Sequence, residues 1–329
     1  MSTTPSEGSF FVSSFDGTKL FVRQWSVPNP TAAVFVSHGM SEHSKRYVDL
    51  GVHISKALNA NVFSIDHRAH GLTACPAGEC DVSSLGVFGT SKDKSTLNCL
   101  EVMGGDLLQL VKESSGDLPI ILFGHSMGSL VARWCLKLAP ADITARMKGV
   151  VLSGIPTVPA VFERFPLFLL VSSAIRLGRG QDFLHNFIMG KFDAAIRSQT
   201  GNKQLPKNSF ISSNSAEVDA FLKDPLCGQT IDLHIWKSVR STLIALESPA
   251  SFYESLENRR VPILFISGKN DPVCRNGQTA VRCAKQMRKI GFEVTEEFLD
   301  NCLHEFLHEL PEIRMKGLDI TAAWIRSKL

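Results

Sequence analysis

No stretch of this 329-residue chain is apolar for long enough to cross a bilayer. Its most apolar run, residues 165–175, falls well short of the ~20 residues that a membrane-spanning helix needs. The first residues, MSTTPSEGS, lack the charged segment and apolar stretch of a signal peptide. No run of Lys or Arg interrupts the chain, and a net charge of +3 gives no footprint for nucleic acid. Internal repeats and low-complexity tracts are missing as well. So is a cysteine framework: the eight cysteines (75, 80, 99, 135, 227, 274, 283 and 302) are scattered. The spacing of Cys75 and Cys80 allows a pair, but with no second pair beside it free thiols in a reducing compartment are expected. These absences point to a soluble, cytoplasmic protein.

What is present is enough apolar content for a full core, 44%, at an ordinary 20% charge. The chain is organised around residues 119–132, PIILFGHSMGSLVA. Residues 120–123 read as a buried strand, Gly124-His125-Ser126-Met127-Gly128 follows at once, and a helical run then stops at Pro140. Strand, G-x-S-x-G and helix together make the nucleophile elbow. The glycines suit it because side chains two residues either side of the serine would collide with the neighbouring strand or helix. The strained turn lifts the Ser126 hydroxyl clear of the sheet, and the Met127 N–H opens the helix where an oxyanion would form.

Around this element strands alternate with helices. A hairpin is expected at residues 9–13 and 19–25 around Asp16-Gly17, and strands at 32–37, 61–65 and 149–152. Helices are expected at 47–58 and 98–112, with a loop at 72–90. The rhythm breaks between about 155 and 259, where 162–177 is apolar on nearly all faces and 216–244 carries scattered Leu, Phe and Trp. That segment reads as a helical insertion. Strands at 261–267 and 292–299 and helices at 278–289 and 313–328 then resume the pattern. The division is 1–154 and 260–329 for an α/β core and 155–259 for the insertion. Such alternation implies a mostly parallel sheet flanked by helices, with the catalytic groups at the carboxyl ends of strands.

A serine hydroxyl needs a base, and the base needs a carboxylate to hold its tautomer. In elbow enzymes the chain order is serine, acid, histidine. Gly268-Lys269-Asn270-Asp271-Pro272 follows one late strand and Asp300-Asn301-Cys302-Leu303-His304 the next, so Asp271 and His304 are the expected partners of Ser126. Chain order prefers Asp271 to Asp300, and His308, within a turn of Pro311, reads as a helix-start surface residue. His304-Glu305-Phe306-Leu307-His308 also matches H-E-x-x-H, the zinc motif of metalloproteases. That motif needs several helical turns around it, whereas Asp300-Asn301 precede it here and Pro311 follows, so no metal is expected. The loop after 32–37, with Gly39 for its turn, supplies the second oxyanion donor, the Met40 N–H beside that of Met127.

These residues together resemble the monoacylglycerol lipase and lysophospholipase branch of the α/β-hydrolases. The matching motifs run from His38-Gly39-Met40-Ser41-Glu42-His43-Ser44-Lys45-Arg46-Tyr47, through residues 66–73, the elbow and Asp224-Pro225-Leu226, to Asp271-Pro272-Val273-Cys274 and His304-Glu305 with Glu309. The resemblance implies an α/β-hydrolase fold and a carboxylic-ester hydrolase with a helical cap over an acyl channel. It puts the triad on Ser126, Asp271 and His304 and the oxyanion donors on Met40 and Met127. It also puts Glu42 and Arg46 where monoacylglycerol lipases hold the glycerol end of their substrate. An internal salt bridge fixing the oxyanion loop is the other reading of that pair. Four positions depart from the pattern: Ala69 and Ser129 replace glycines with little effect expected on the chemistry, while Phe221 and Leu307 replace a tyrosine and a histidine near the glycerol site.

The expected protein is therefore a cofactor-free serine hydrolase acting on a monoacylglycerol or lysophospholipid. A short-chain ester or thioester hydrolase, or a module that only binds acyl ligands, is the alternative. The apolar surplus in the cap, including Leu167 and Phe168, points to an acyl channel or a peripheral membrane contact. Cys274, three residues after Asp271, is expected near the site and open to bulky thiol reagents.

Overall fold

The computed structural model describes residues 4–76, 81–88, 98–156, 181–256 and 260–329. Eight strands form one sheet: β1 (Ser6–Ser13), β2 (Lys19–Ser26), β3 (Ala32–Ser37), β4 (Ala60–Ile65), β5 (Ile120–His125), β6 (Met147–Ser153), β7 (Ile263–Gly268) and β8 (Val294–Leu299). Their order is β1-β2-β4-β3-β5-β6-β7-β8. β1 pairs with β2, and β2 with β4, antiparallel. Every later pairing is parallel. This is the α/β-hydrolase fold that the motifs predicted, with the hairpin at one edge and the elbow strand near the middle.

The central strands are buried at every position, because helices cover both faces and neither face needs polar residues. Phe35, Leu122 and Phe265 point into one core layer, while Val34, Phe123 and Leu264 point into the other. Two glycines are set by packing. A Cβ on Gly51, in the helix Val48–Leu58, would lie 2.3 Å from the Trp25 indole, and one on Gly317, in the helix Pro311–Arg326, would lie 2.3 Å from Phe306. Both helices therefore ride directly on aromatic side chains, which brings Phe306 and the loop before it against the sheet.

Most expected elements appear with bounds shifted by a few residues. The helix expected at 98–112 is Cys99–Ser114, since Asn98 is its N-cap and its side chain accepts from Leu100 and Glu101 N–H. Within the loop expected at 72–90, the helical turn Gly71–Ala74 and a 3-10 turn Val82–Ser84 are described. The short helix Ala141–Arg146 carries no periodic signal long enough to read. Between β6 and β7 the described residues hold helices Gln181–Thr200, Ser215–Lys223, Leu233–Ala245 and Pro249–Phe252 and no strand. The apolar segment 162–177, with Leu167 and Phe168, lies outside the described residues.

One expectation about cysteine is corrected. Cys75 is disulfide-bonded rather than a free thiol, and Cys80 lies outside the described residues. Cys99, Cys135, Cys227, Cys274, Cys283 and Cys302 form no disulfide.

Three histidines lie packed together, with tilted rings, in the loops that follow β3 and β4: His38 is 4.5 Å from His67 and 5.2 Å from His70 between ring centroids. His38 Nδ1 donates to the Gly39 carbonyl and its Nε2 accepts from the His67 N–H, which fixes a neutral ring. Burial pushes His67 down to about 3 and His70 down to about 4, with mutual repulsion adding to the shift at His67. Unfolded, each takes up a proton near pH 6.5; folded, neither does until far lower. Stability is therefore expected to fall as pH drops through 6.5, by about 3 kcal/mol between pH 6.5 and 5 for the two together. Urea unfolding at those pH values measures this, and His67→Gln should flatten the slope. An unchanged midpoint at pH 5 would contradict the assignment of neutral, buried rings.

Candidate active site

The elbow is built as its sequence requires. Ser126 sits at φ 50° and ψ −119° between the end of β5 and the helix Met127–Leu138, and its N–H donates to the Ser153 carbonyl at 2.9 Å. Such a conformation is strained for any residue with a Cβ and persists because strand and helix hold both sides. The glycines are steric necessities: a Cβ on Gly128 would lie 2.1 Å from the Ser37 carbonyl oxygen, and one on Gly124 would lie 2.4 Å from that of Gly128. Ser129 fits where a second glycine was expected because its hydroxyl turns back to donate to the Ser126 carbonyl at 2.6 Å. Ala69 is less comfortable, at φ 68°, where a glycine would avoid a cost of about 1 kcal/mol.

Around Ser126 the structure gathers residues far apart in sequence. Ser126 Oγ lies 2.9 Å from His304 Nε2, and His304 Nδ1 lies 2.9 Å from Asp271 Oδ2. A carboxylate only accepts, so Nδ1 carries the proton and Nε2 is left to accept from the serine hydroxyl. Burial works to lower the His304 pKa, but the charge and hydrogen bond of Asp271 outweigh it and hold the imidazole above its ordinary value. Asp271 is fully buried after β7, where its Oδ1 accepts from the Val273 N–H at 2.8 Å. Asp300 is elsewhere, exposed and paired with Lys269 at 2.6 Å.

Met40 and Met127 both border the cleft at Ser126, Met127 as the first residue of its helix, whose leading N–H groups have no partner within the helix. The loop carrying Met40 is held by Glu42, whose Oε1 accepts from the Gly39 N–H at 2.5 Å and from the Tyr47 hydroxyl at 2.8 Å. Arg46 lies 3.3 Å from Glu42 and 2.5 Å from Glu305, and its guanidinium covers the Phe221 ring at 4.8 Å. Glu42 borders the cleft; Arg46 stands behind it, in a neighbouring pocket. The geometry thus favours the internal ion pair over direct substrate contact for Arg46.

The zinc reading of His304-Glu305-x-x-His308 fails on geometry. His304 faces Ser126, Glu305 faces Arg46, and His308 Nδ1 is 3.2 Å from Glu217, so the three side chains serve three different partners. His308 is accordingly not a free surface residue. Cys274 does lie against Asp271, but it is completely buried, its Sγ accepts from the Gly277 N–H at 3.3 Å, and burial pushes its thiol far up. Access for bulky reagents, expected from sequence, is therefore withdrawn.

The insertion contributes support that the sequence did not reveal. The Phe210 and Ile211 carbonyls accept from the His304 and Glu305 N–H groups at 3.3 and 2.8 Å. Glu309, fully buried, accepts from the Leu303 N–H at 2.7 Å and from the Ser213 N–H and hydroxyl. These contacts clamp the histidine loop from the cap side. Above Ser126 opens a cleft of about 820 Å³ whose walls include Ile188, Met189, Phe192, Phe210, Val239 and Leu243.

A family model described as serine aminopeptidase, S33, matches residues 28–311 of the chain. The chain is 26% identical to monoglyceride lipase of Homo sapiens over 321 residues, covering 95% of this chain and 88% of that protein. Among solved structures it is similar to a thermostable carboxyl esterase from Bacillus coagulans in complex with glycerol, at a TM-score of 0.78 and 24% identity over 99% of both chains. It is also similar to a soluble variant of monoglyceride lipase from Saccharomyces cerevisiae, at a TM-score of 0.65 and 17% identity over 99% of this chain and 97% of that one. At these identities the structural likenesses speak for the fold alone.

Proposed function

The chain belongs to the serine aminopeptidase S33 family of α/β-hydrolases, and we propose that it cleaves the carboxylic ester of a single-chain lipid, a monoacylglycerol or lysophospholipid, through an acyl-enzyme on Ser126. One observation carries this reading: the relay Ser126–His304–Asp271, with 2.9 Å at each step, stands at the floor of an apolar cleft. An assembled relay favours catalysis over a module that only binds acyl ligands.

In this mechanism His304 Nε2 takes the Ser126 proton as Oγ attacks the ester carbonyl. Asp271 holds the ring and stabilises the imidazolium, and the Met40 and Met127 N–H groups receive the developing oxyanion. His304 returns the proton to the departing alcohol. Water, deprotonated by His304, then attacks the acyl-Ser126 carbonyl, and collapse of that adduct releases the fatty acid and restores the serine hydroxyl. The acyl chain lies among the apolar walls of the cleft. The alcohol end meets Glu42 and the apolar Phe221, so the grip on a glycerol hydroxyl is weaker than a tyrosine there would give. The exposed Phe183, stacked on Phe187 at 6.0 Å on the insertion, supports a peripheral contact with a lipid surface.

The test is a series of monoacyl esters from C4 to C16. Because each methylene taken into an apolar pocket is worth about 0.8 kcal/mol, kcat/KM is expected to rise by about tenfold or more from C4 to C12. A flat series, or a maximum at C4, would remove the lipid reading and put a short-chain esterase in its place.

A further inference from the structure

Beside the cleft, behind Phe221, lies a solvent-open pocket of about 670 Å³ that hydrolysis does not use. Three of its lining residues bring together a nitrogen, an oxygen and a sulfur. A ring nitrogen of His43, a carboxylate oxygen of Asp224 and Cys227 Sγ all lie within 4.8 Å of one another. The first two are already 3.0 Å apart. We propose that His43, Asp224 and Cys227 form a binding site for a divalent transition cation of zinc type, with water completing its coordination.

Several features prepare the site. His43 is almost completely buried, so its ring does not wander. Asp224 closes a turn in which its Oδ1 accepts from the Leu226 N–H and its carbonyl accepts from the Cys227 N–H, which leaves Oδ2 for the cation. That turn presents Asp224 and Cys227 on one side, three residues apart, a spacing that suits chelation. Imidazole, carboxylate and thiolate are the donors that borderline-soft zinc accepts, and they suit neither magnesium nor calcium. The cations around the pocket are largely neutralised. Arg46 is shared between Glu42 and Glu305 and Arg314 between Asp49 and Glu217, while Lys45 is exposed at the rim; the Arg46 charge beside Cys227 favours its thiolate. Binding forms metal–nitrogen and metal–sulfur bonds: the proton that His43 Nε2 holds toward Asp224 gives way to the Nδ1 tautomer, and the Cys227 thiol proton leaves to solvent, so affinity rises with pH.

The position gives the site a consequence. His43 belongs to the loop that carries Met40, whereas Asp224 and Cys227 belong to the insertion. The two segments already touch through Gly228 N–H to the Ser41 carbonyl and the Ser41 hydroxyl to the Gln229 carbonyl, each 2.8 Å. A cation at this place cross-links the cap to the oxyanion loop.

The test uses the full chain and zinc chloride, with binding read by competition against a chromogenic chelator, so its outcome does not depend on any esterase activity. One zinc per chain is expected, weakened about tenfold or more by Cys227→Ala and by His43→Gln. A rise in Tm with zinc, reversed by EDTA, should accompany it. Cobalt(II) in place of zinc should give a thiolate-to-cobalt charge-transfer band that Cys227→Ala lacks. Should His43→Gln fail to fold, Cys227→Ala and the cobalt spectrum decide alone. No binding with zinc in large excess, or stoichiometric binding that Cys227→Ala leaves unchanged without a cobalt–thiolate band, overturns the site.

Discussion

Ser126→Ala is expected to abolish labelling by a fluorophosphonate and to lower kcat/KM by about 10⁴-fold or more. The probe reacts only with an activated hydroxyl, and nothing else in the site replaces one. The relay gives the reason: His304 Nε2 sits 2.9 Å from the hydroxyl with its lone pair free, because Asp271 holds the proton on Nδ1. Mass spectrometry of the labelled wild type should place the adduct on Ser126. A wild-type chain that is folded yet unlabelled would mean that the relay does not activate the serine, and the binding-module reading would take over. Ser129 is the useful control, since its hydroxyl is engaged with the Ser126 carbonyl and should never carry the label.

Asp271→Asn should cost about 10³- to 10⁴-fold in kcat while leaving the fold intact. The amide can offer its N–H toward the ring, which favours the tautomer with Nδ1 as acceptor and the proton on Nε2, the wrong side for a base. It also withdraws the charge that outweighs burial, so the His304 pKa drops. The sign follows for the pH profile. In the wild type His304 must be neutral to act, and its pKa is raised, so the acidic limb of kcat/KM lies above pH 6.5. In Asp271→Asn the residual activity loses its acidic limb to lower pH. Asp300→Asn, by contrast, removes only an exposed pair with Lys269 and should leave both rate and profile unchanged. Equal losses in the two variants would contradict the geometry.

The core was legible because its signals are local. β5 followed by G-H-S-M-G marks the elbow in a few adjacent residues, and the strand ends after β7 and β8 name Asp271 and His304 through chain order. The insertion was legible only as a change of rhythm. It packs by side chains such as Ile196, Phe210 and Phe221 against Val273 and Leu303, contacts between segments with no fixed spacing. The motif contains Glu309, but its role in holding Leu303 and Ser213 shows only in the structure, as does the part of the Phe210 carbonyl, since a backbone oxygen leaves no pattern in sequence.

By itself, then, the chain's sequence determined the sheet, the elbow and the chain order of the residues that meet at it, since these follow from periodicity, tight turns and topology. Only the tertiary structure decided which of several candidate groups meet. Arg46 lies behind Glu42 rather than along the cleft wall, Cys274 is closed off, and His43 comes to face Asp224 and Cys227 although 181 residues of chain separate it from Asp224. Hydrogen bonds, charge pairing and burial act over a few ångströms in space. Distance along the chain carries none of that information.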